Sequence, residues 1–383
     1  MTSNHIESLF NKYKEKSLFG RYICNKHIEP LLKKIDPIFN VDTLGISVMD
    51  KPIVSITVGN GQKRILMWSQ MHGNESTTTK AIFDLLNFLN SNEPEALKIL
   101  ENCLIKIIPI LNPDGAESYT RINANEVDLN RDAQDLSQPE SVILRELYLS
   151  FKPHYCYNLH GQRTIFSAGK VNKSATVSFL SPSQDNECTI TENRKISMEI
   201  ISVMNSHLQK LIPEQVGIYD DSHNINCVGD TFQSFGTPTI LFEAGHFSGD
   251  YQREKTRELI FHSYLVSLLY IAENAVDGSK CGSYQEIPVN DKLFYDIILR
   301  NVEFEEKVVD LAIQYQEILE NEIIKFSPKI EKIGNLESFF GHKEIDVNYH
   351  QIFTHDYKPI YEGYENDFVM KKNEKILLNT INI

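Results

Sequence analysis

Short apolar runs alternate with amphipathic segments along roughly the first 275 positions of the chain. The runs LGISVM, PIVSITV and RILMWSQM predict β-strands over residues 44–49, 52–58 and 64–71. The segment GNGQ, between the second and third runs, is a glycine-rich turn typical of hairpins. Apolar positions at three- and four-residue spacing then predict a helix from Glu75 to Leu89.

The same alternation continues further along the chain. CLIKIIPIL predicts a buried strand that ends at the loop signal NPDG, and SQPESVILRELYLSF predicts a helix capped by Ser137. HYCYNLHG and PTILFEAGH are strand-like runs that end in polar residues and glycine, and a long helix is predicted after them, beginning near Tyr251. With a helical lead-in over residues 1–40, the pattern predicts an α/β fold. Its sheet is mixed and mostly parallel, with helices on both faces.

The pattern changes after about Asp277. The segment DGSKCGS is typical of a linker, and the runs that follow it, such as HKEIDVNYHQIF and EKILLNTINI, are short and strand-like. We therefore predict one domain over residues 1–280 and a small strand-rich C-terminal appendage over residues 281–383. The sequence does not state the role of that appendage.

Composition narrows the possible partners of the chain. No apolar run approaches the ~18 residues of a membrane helix, and the polar N-terminus has no secretory signal, so we predict no membrane association and a cytoplasmic location. Six scattered cysteines without a C-x-x-C motif predict reduced, individually buried thiols. The net charge of −14 repels phosphate backbones and argues against nucleic acid as a partner. The oligomeric state is not indicated.

Side chains that can bind a metal or move a proton follow four of the predicted strands. In order along the chain they are His72 and Glu75; Arg121, Asp128, Asn130 and Arg131; His160; and Glu243. Ligands bind outside the carboxyl ends of the strands in open α/β sheets, so we expect these side chains to share one site. Taken alone, the pair also has an ordinary structural interpretation. His72 can be a loop histidine, and Glu75 can be a glutamate in the first turn of a helix, where the helix dipole favours negative charge.

Two imidazoles and one carboxylate form a catalytic zinc set that leaves the fourth position to water. His72, Glu75 and His160 are therefore candidate ligands of one Zn²⁺ per chain. Zinc lowers the pKa of its bound water toward ~7, and Glu243 can accept that water's proton and pass it to the leaving amine. Asp128 is a candidate acceptor for the second N–H of a zinc-bound histidine.

Three basic or amide side chains suit the rest of an amide substrate. Arg121 can stabilise the oxyanion that develops on the reacting carbonyl. Asn130 and Arg131 offer an amide and a guanidinium fork, and the fork can bind a carboxylate through two hydrogen bonds. The expected partner is a peptide or a small amide that carries a free carboxylate beside the scissile bond.

The order H-x-x-E, N-P-D-G, R…N-R, a strand-end histidine and F-E resembles the zinc carboxypeptidases of the carboxypeptidase A type, the M14 metallopeptidases, over roughly residues 65–246. HGNE and RINANEVDLNRD look most like bacterial members. The resemblance implies a zinc-exopeptidase-like fold. It also implies that His72, Glu75 and His160 match the zinc ligands, Asp128 the acid behind the first zinc histidine, Arg121 the oxyanion-stabilising arginine, Asn130 and Arg131 the carboxylate-binding pair, and Glu243 the general base. Tyr219 and His223 are both candidates for the family's mobile tyrosine.

Three functions stay open at this stage. The first is a zinc metallocarboxypeptidase that hydrolyses the C-terminal amide bond of a peptide, with the zinc-bound water activated by Glu243. The second is a zinc-dependent deacylase or amidase that uses the same residues on N-acyl amino acids or cell-wall peptides. The third, a binding module on the same fold, predicts a missing ligand or base; none is missing, so it ranks last. The preferred C-terminal side chain is not indicated.

Overall fold

The computed structural model describes residues 2–379 and 381. The helices are α1 (Ser3–Tyr13), α2 (Asn25–Leu32), α3 (Thr77–Leu89), α4 (Pro94–Asn102), α5 (Pro113–Ser118), α6 (Pro139–Phe151), α7 (Glu192–Leu208), α8 (Val228–Ser234) and α9 (Glu254–Glu273). The strands are β1 (Asn40–Ile46), β2 (Pro52–Val58), β3 (Lys63–Ser69), β4 (Cys103–Ile108), β5 (Tyr155–Gly161), β6 (Ser167–Ala168), β7 (Val177–Leu180), β8 (Val216–Ile218), β9 (Thr239–Ala244), β10 (Asn290–Asp291), β11 (Phe294–Phe304), β12 (Lys307–Glu320), β13 (Ile323–Gly334), β14 (Phe340–Asp346), β15 (Ile352–Phe353), β16 (Phe368–Lys371) and β17 (Glu374–Leu377).

The largest sheet has the strand order β1-β2-β4-β3-β5-β9-β7-β8. Its central strands β4, β3, β5 and β9 run parallel to one another. Antiparallel pairs flank them, β2 on β4 at one side and β7 on β9 at the other. The predicted mixed, mostly parallel sheet is confirmed. Because the central strands are parallel, their carboxyl ends meet at one edge of the sheet, where ligands bind in this class of fold.

Helices cover both faces of this sheet, as predicted. On one face α3 is buried along nearly its whole length, and the ring of Phe88 lies 6.2 Å from that of Phe261 in α9. On the other face Trp68 of β3 packs on Phe232 of α8, and Phe232 stacks on Tyr148 of α6 at 4.1 Å. The apolar stripes seen in the sequence are the surfaces that these two layers bury.

The predicted hairpin between β2 and β3 is wrong. Strand β4 lies between them, antiparallel to β2 and parallel to β3. The glycine-rich turn instead packs on the start of β4: Asn60 N donates to Leu100 O at 2.9 Å, and Gly61 N donates to Cys103 O at 3.2 Å. A Cβ on Gly61 would lie 1.8 Å from the carbonyl carbon of Asn102. The glycine therefore serves this close approach rather than a two-stranded turn.

Two local expectations also differ from the structure. The NPDG segment, predicted as a loop, begins the short helix α5, because the Oδ1 atom of Asn112 accepts a hydrogen bond from Gly115 N at 2.8 Å and caps the helix. Ser137 does not cap α6. Its hydroxyl donates to Asp132 Oδ1 at 2.6 Å, and the N-cap position belongs to Gln138.

The C-terminal region is strand-rich, as predicted. It contains a four-stranded sheet in the order β13-β12-β11-β14 and a three-stranded sheet in the order β15-β16-β17. These sheets enclose a core of their own, which Tyr119 of the first region joins. Tyr284 and Ile287 pack into the larger core, ahead of β11. The boundary near residue 280 stays a prediction.

No helix within residues 2–379 and 381 combines the length and apolarity needed to cross a bilayer. The six cysteines are free thiols. Three of them are buried, whereas Cys188, Cys227 and Cys281 are half-buried. The expectation that every thiol is buried therefore holds for half of them.

Candidate metal centre and its cavity

The first two candidate ligands lie in the tight connection between β3 and α3. Gln70 adopts a φ of 46°, and its side-chain amide donates to Gly73 O at 2.7 Å, which holds the loop. A Cβ on Gly73 would lie 1.9 Å from the carbonyl carbon of Gly115, so only glycine allows the loop to pack this closely. His72 and Glu75 are thereby directed over the carboxyl end of β5, which carries His160.

Three donor groups converge at this edge of the sheet. His72 Nδ1 lies 2.9 Å from Glu75 Oε1, His160 Nδ1 lies 3.0 Å from Glu75 Oε2, and the two Nδ1 atoms are 3.0 Å apart. Both imidazoles are 2% exposed. Ligand atoms bound tetrahedrally at zinc distances stand about 3.3 Å apart. Two imidazole nitrogens and a carboxylate aimed at one point therefore suit a zinc ion in both type and spacing.

The charges of the three groups depend on one another. Burial lowers the pKa of His160 to about 4, and the neighbouring His72 adds to this, while Glu75 opposes it. Burial would raise the pKa of Glu75, but the two imidazoles outweigh it and hold the pKa of that carboxyl below its ordinary value. Neutral imidazole and ionised carboxylate are the forms that bind a metal.

Asp128 and Arg121 surround the first histidine. His72 Nε2 lies 3.1 Å from Asp128 Oδ1, on the side of the ring opposite Glu75. Arg121 donates from Nε to Asp128 Oδ2 at 3.1 Å and from Nη1 to Glu75 Oε1 at 3.3 Å. Asp128 thus occupies the position expected of the acceptor behind a metal-binding histidine. By contrast, Nε2 of His160 has no hydrogen-bond partner among the described residues.

Glu243 faces the same point from the next strand. Strands β5 and β9 pair in a register that sets His160 opposite Glu243. Within the described part of the chain its buried Oε2 atom has no hydrogen-bond partner. Burial, and after it the negative charge of Glu75, raise the pKa of Glu243 well above its ordinary value. A carboxylate left unpaired beside three metal-type donors is available for chemistry.

The three donors and Glu243 line a cavity of about 440 Å³. Asn130 and Arg131 line the same cavity. Asn130 Oδ1 accepts from Val228 N at 3.1 Å, which fixes the orientation of the amide. Arg131 Nη1 donates to Asn130 O at 2.8 Å and to Cys227 Sγ at 3.1 Å. The thiol of Cys227, expected from the sequence to be a buried apolar group, instead helps to position the guanidinium.

Of the two candidates for a mobile tyrosine, Tyr219 lines this cavity. Burial raises the pKa of its phenol, and Glu243 and Glu75 raise it further. His223 is held elsewhere, with Nδ1 3.3 Å from Ser183 O and 3.4 Å from Asp230 Oδ1. The geometry favours Tyr219 over His223 as a group that can reach a substrate.

A second cavity, of about 370 Å³, was not predicted from the sequence. It adjoins the first because Glu75, Arg121 and Gly161 line both. Its far side consists of Arg21 and Arg253 from the first region and of residues of β12 and β13 from the C-terminal region. No motif in the sequence relates these segments: Arg21 precedes the others by more than two hundred residues, and Arg253 precedes Gln314 by 61.

The sequence is similar to those of known carboxypeptidases over part of its length. The family model described as zinc carboxypeptidase matches residues 25–206. Carboxypeptidase 2 of Trichophyton rubrum is 33% identical over 110 residues, which cover 28% of this chain and 20% of that protein. Carboxypeptidase SOL1 of Arabidopsis thaliana is 28% identical over 163 residues, covering 37% of this chain and 33% of that protein. The chain thus spans about a fifth to a third of the length of these relatives.

Solved structures share the fold. A metallo-carboxypeptidase from Burkholderia cenocepacia superposes with a TM-score of 0.53 at 16% identity, covering 65% of this chain and 69% of that one. Carboxypeptidase A from Helicoverpa armigera gives a TM-score of 0.52 at 15% identity, covering 72% of this chain and 80% of that one. The matched segment contains seven of the eight predicted site residues, and the eighth, Glu243, pairs with one of them across the sheet. Residues 25–206 of the chain are therefore similar to the zinc carboxypeptidases of the peptidase M14 family, and the chain shares the fold of solved metallo-carboxypeptidases.

Proposed function

We propose that the chain is a zinc-dependent metallocarboxypeptidase, which hydrolyses the C-terminal amide bond of a peptide. The observation that carries the proposal is that a metal-type donor set, an unpaired carboxylate and a guanidinium line one cavity of about 440 Å³. Hydrolysis of an amide that carries a free carboxylate beside the scissile bond needs each of these groups, and the match of residues 25–206 to the zinc carboxypeptidase model supports the same reaction.

The proposed zinc ligands are His72 Nδ1, the Glu75 carboxylate and His160 Nδ1, whose mutual spacing of 2.9–3.0 Å suits one ion. When bound, zinc acts as a Lewis acid toward the scissile carbonyl and makes water a stronger acid at neutral pH. In this proposal Asp128 accepts the Nε2–H of His72 and so fixes its tautomer with Nδ1 free to bind the metal.

Glu243 is the proposed general base. Its Oε2 atom takes a proton from the attacking water and then gives it to the departing nitrogen, so that one carboxylate serves both steps. Arg121 lies beside Glu75, where its Nη1 donor can turn toward the negative oxygen that develops on the carbonyl. Its half-exposed side chain leaves room for that change of partner.

Asn130 and Arg131 are the proposed receptor for the substrate's terminal carboxylate. Arg131 presents a guanidinium whose Nη1 is held by Asn130 O and Cys227 Sγ, which leaves the other donors for a bidentate bond. Tyr219 is the proposed group that covers the bound substrate from the opposite loop.

One observation favours a second candidate, a deacylase or amidase that acts on small N-acyl amino acids or cell-wall peptides. The C-terminal region closes the far side of the adjoining cavity with Gln314, Glu317 and Phe326. That wall limits the length of the acyl part of a substrate, whereas the zinc chemistry is the same in both candidates.

A substrate panel tests the proposal and separates the two candidates. N-blocked dipeptides, N-acyl amino acids and muropeptides are incubated with the protein, with and without a chelator, and release of the C-terminal residue is measured. Chelator-sensitive cleavage of N-blocked dipeptides supports the carboxypeptidase, and cleavage confined to N-acyl amino acids or muropeptides supports the second candidate. A protein that retains zinc but releases no amine from any member of the panel would refute both.

A further inference from the structure

The cavity behind the metal centre contains an arginine that lacks a counter-ion. Arg253 is 1% exposed and lines this cavity. Its Nη2 atom donates to Gln162 O at 3.1 Å, but Nε and Nη1 have no hydrogen-bond partner within the described residues. A buried charge without a partner strongly destabilises the folded state. Such a group usually marks a place where a ligand supplies the missing partner.

The neighbouring charges do not supply that partner. Glu317 accepts hydrogen bonds from Tyr119 through Oε2 and is paired with Arg21 Nη1 through Oε1 at 2.9 Å. Asp296 accepts from Tyr251 Oη at 2.9 Å and from the backbone of β12 at 2.8 Å, both uncharged donors. Burial, and then the nearby Arg21, lower the pKa of Arg253 to about 10, and the negative charges of Glu317 and Asp250 offset this only in part.

A second arginine on the same segment shows how a buried guanidinium is normally satisfied. Arg257, four residues further along α9, is fully buried. Its Nε and Nη2 atoms donate to the two oxygens of Asp84 at 2.7 and 2.6 Å, and Nη1 donates to Leu18 O at 2.5 Å. Helix α9 therefore buries one arginine with a full set of partners and, at its N-cap, one without.

The unpaired arginine is connected to the metal centre. Gln162, which accepts from Arg253, is two residues beyond His160, and the intervening Gly161 donates from N to Glu75 Oε2 at 2.9 Å. The receptor for the terminal carboxylate, Arg131, lines the other cavity. A substrate whose scissile bond lies at the metal centre, with its terminal carboxylate on Arg131, can place its acyl part in the adjoining cavity, which Arg253 lines.

We propose that this cavity is an anion-binding subsite in which Arg253 binds a carboxylate on the acyl side of the scissile amide. The inference rests on the proposed function for the orientation of the substrate. It names the substrate class as an amide with a carboxylate on each side: either a peptide with an acidic residue before the cleaved one, or an amino acid acylated by a dicarboxylic acid.

Binding is measured by calorimetry in a Glu243→Gln background, so that ligands are not consumed. N-acetyl-Glu-Phe is compared with N-acetyl-Gln-Phe, and N-succinyl-Phe with N-butanoyl-Phe, since each pair differs by one charge at nearly equal size. We expect the charged member of at least one pair to bind roughly tenfold or more tightly, the range of a charge-assisted hydrogen bond. The pair that shows the preference identifies whether the acyl carboxylate belongs to a peptide or to a dicarboxylic acyl group.

The Arg253→Gln variant should abolish that preference while Arg131→Ala weakens both members of a pair alike. Arg257→Gln is the matched control and should leave the preference intact. Melting temperatures provide an independent readout: Arg257→Gln should lower it by several degrees because Asp84 loses its partner, whereas Arg253→Gln should leave it unchanged or raise it. A preference that survives in Arg253→Gln, or its absence from both pairs, would overturn the subsite.

Titration with glutarate keeps the test independent of hydrolysis, because glutarate has no amide bond. Its affinity should fall roughly tenfold in Arg253→Gln even if the chain cleaves none of the amides in the panel. Equal glutarate affinity in the two proteins would overturn the subsite and leave the proposed function standing. Weakened glutarate binding without any amide cleavage would support the subsite and refute the proposed function.

Discussion

The cleft has two walls that differ in how their residues are brought together. The metal-centre wall consists of His72, Glu75, His160 and Glu243. The C-terminal wall consists of residues of β12 and β13. The first uses the carboxyl ends of neighbouring parallel strands, where register alone sets His160 opposite Glu243. The second depends on contacts between distant segments, such as Gln314 Nε2 to Thr164 Oγ1 at 2.7 Å. We therefore expect changes in the first wall to alter turnover or zinc binding, and changes in the second to alter selectivity.

The largest effect is expected from Glu243→Gln. Glutamine keeps the size of the side chain but removes the base, and general acid–base catalysis is typically worth ~10²–10⁴ in rate, so kcat should fall by at least that range. Zinc content should be unchanged because Glu243 is not a proposed ligand. Steady-state kinetics and elemental analysis on one preparation measure both.

Glu140→Gln is the matched control for that variant. Glu140 is also buried, but it lies in α6, where it accepts from Val48 N and Asn123 Nδ2 and lines neither cavity. Its replacement should lower stability and leave kcat per folded molecule near normal. A Glu243→Gln protein that keeps most of its turnover would contradict the proposed mechanism.

The next largest effect is expected from Arg131→Ala. Arg131 is exposed, and a hydrogen bond to a charged group contributes about 1.5–3 kcal/mol, so kcat/KM for free-carboxylate substrates should fall roughly tenfold or more. The matching C-terminal amides, already poor substrates, should lose little. Arg131→Lys should restore little, because an ammonium cannot form the bidentate bond. Equal losses on acids and amides would argue against the carboxylate receptor.

Within the same wall, Asp128→Asn should weaken zinc binding rather than abolish it. Asparagine can still lie beside His72 Nε2, but it no longer provides the negative charge that makes the ring a better ligand. Replacement of such a partner typically costs 10–100-fold in metal affinity, which competition with a chromophoric chelator measures. Asp132→Asn, a nearby acid bonded to Ser137, is the control. Unaltered zinc affinity in Asp128→Asn would show that the contact does not tune the metal.

The C-terminal wall should respond differently. Phe326 lines the second cavity, in which the acyl part of a substrate is proposed to lie. Its ring centre is 5.4 Å from that of Tyr251. Phe326→Leu enlarges that cavity, so kcat/KM for a bulky acyl group should rise relative to a small one, by roughly tenfold at most. Zinc content should not change. A fall in turnover on every substrate alike would mean that this wall supports the catalytic residues rather than selecting the acyl group.

The two walls also differ in how far sequence alone could predict them. The strands that carry His160 and Glu243 are contiguous apolar runs, so their ends could be located, and the parallel sheet then gathers the polar residues that follow them. Predictions of which strands pair, or of which side chains contact each other, were less reliable. The hairpin of β2 and β3 failed because β4 inserts between them, and Cys227 gave no sign of its contact with Arg131.

The second cavity, which Arg253 and the C-terminal wall both line, gave no local signal in the sequence. Arg253 looks like any charged residue near the start of a helix, and only the folded chain shows that its charge is buried and unpaired. The imidazoles of His246 and His262 are likewise almost fully buried, and nothing in their sequence spacing indicates it. Burial of a polar side chain depends on which distant segments pack over it, and sequence spacing does not record that.

The smallest expected effect concerns the contact between the two regions. His342 of β14 packs with its ring centre 4.4 Å from that of His246, and its Nε2–H donates to Thr164 O at 2.8 Å. Burial lowers the pKa of His342 to about 4, and the positive charge of Arg253 adds to this. An unfolded histidine has a pKa near 6.5, so the folded state disfavours the proton. The stabilisation is present above pH 6.5 and is lost as pH falls toward 4.

Between pH 7 and pH 5 this single group should reduce the free energy of unfolding by on the order of 1 kcal/mol, allowing for its partial exposure to solvent. Denaturant titrations at both pH values measure the change. His342→Gln removes the titrating group, so its stability should depend less steeply on pH, while His350→Gln in the loop after β14 should follow the unmodified protein. Because His246 faces His342 and is itself buried, some pH dependence should remain in the variant. If His342→Gln and the unmodified protein lose the same free energy of unfolding between pH 7 and pH 5, the contact between the two regions is not stabilised by a neutral imidazole.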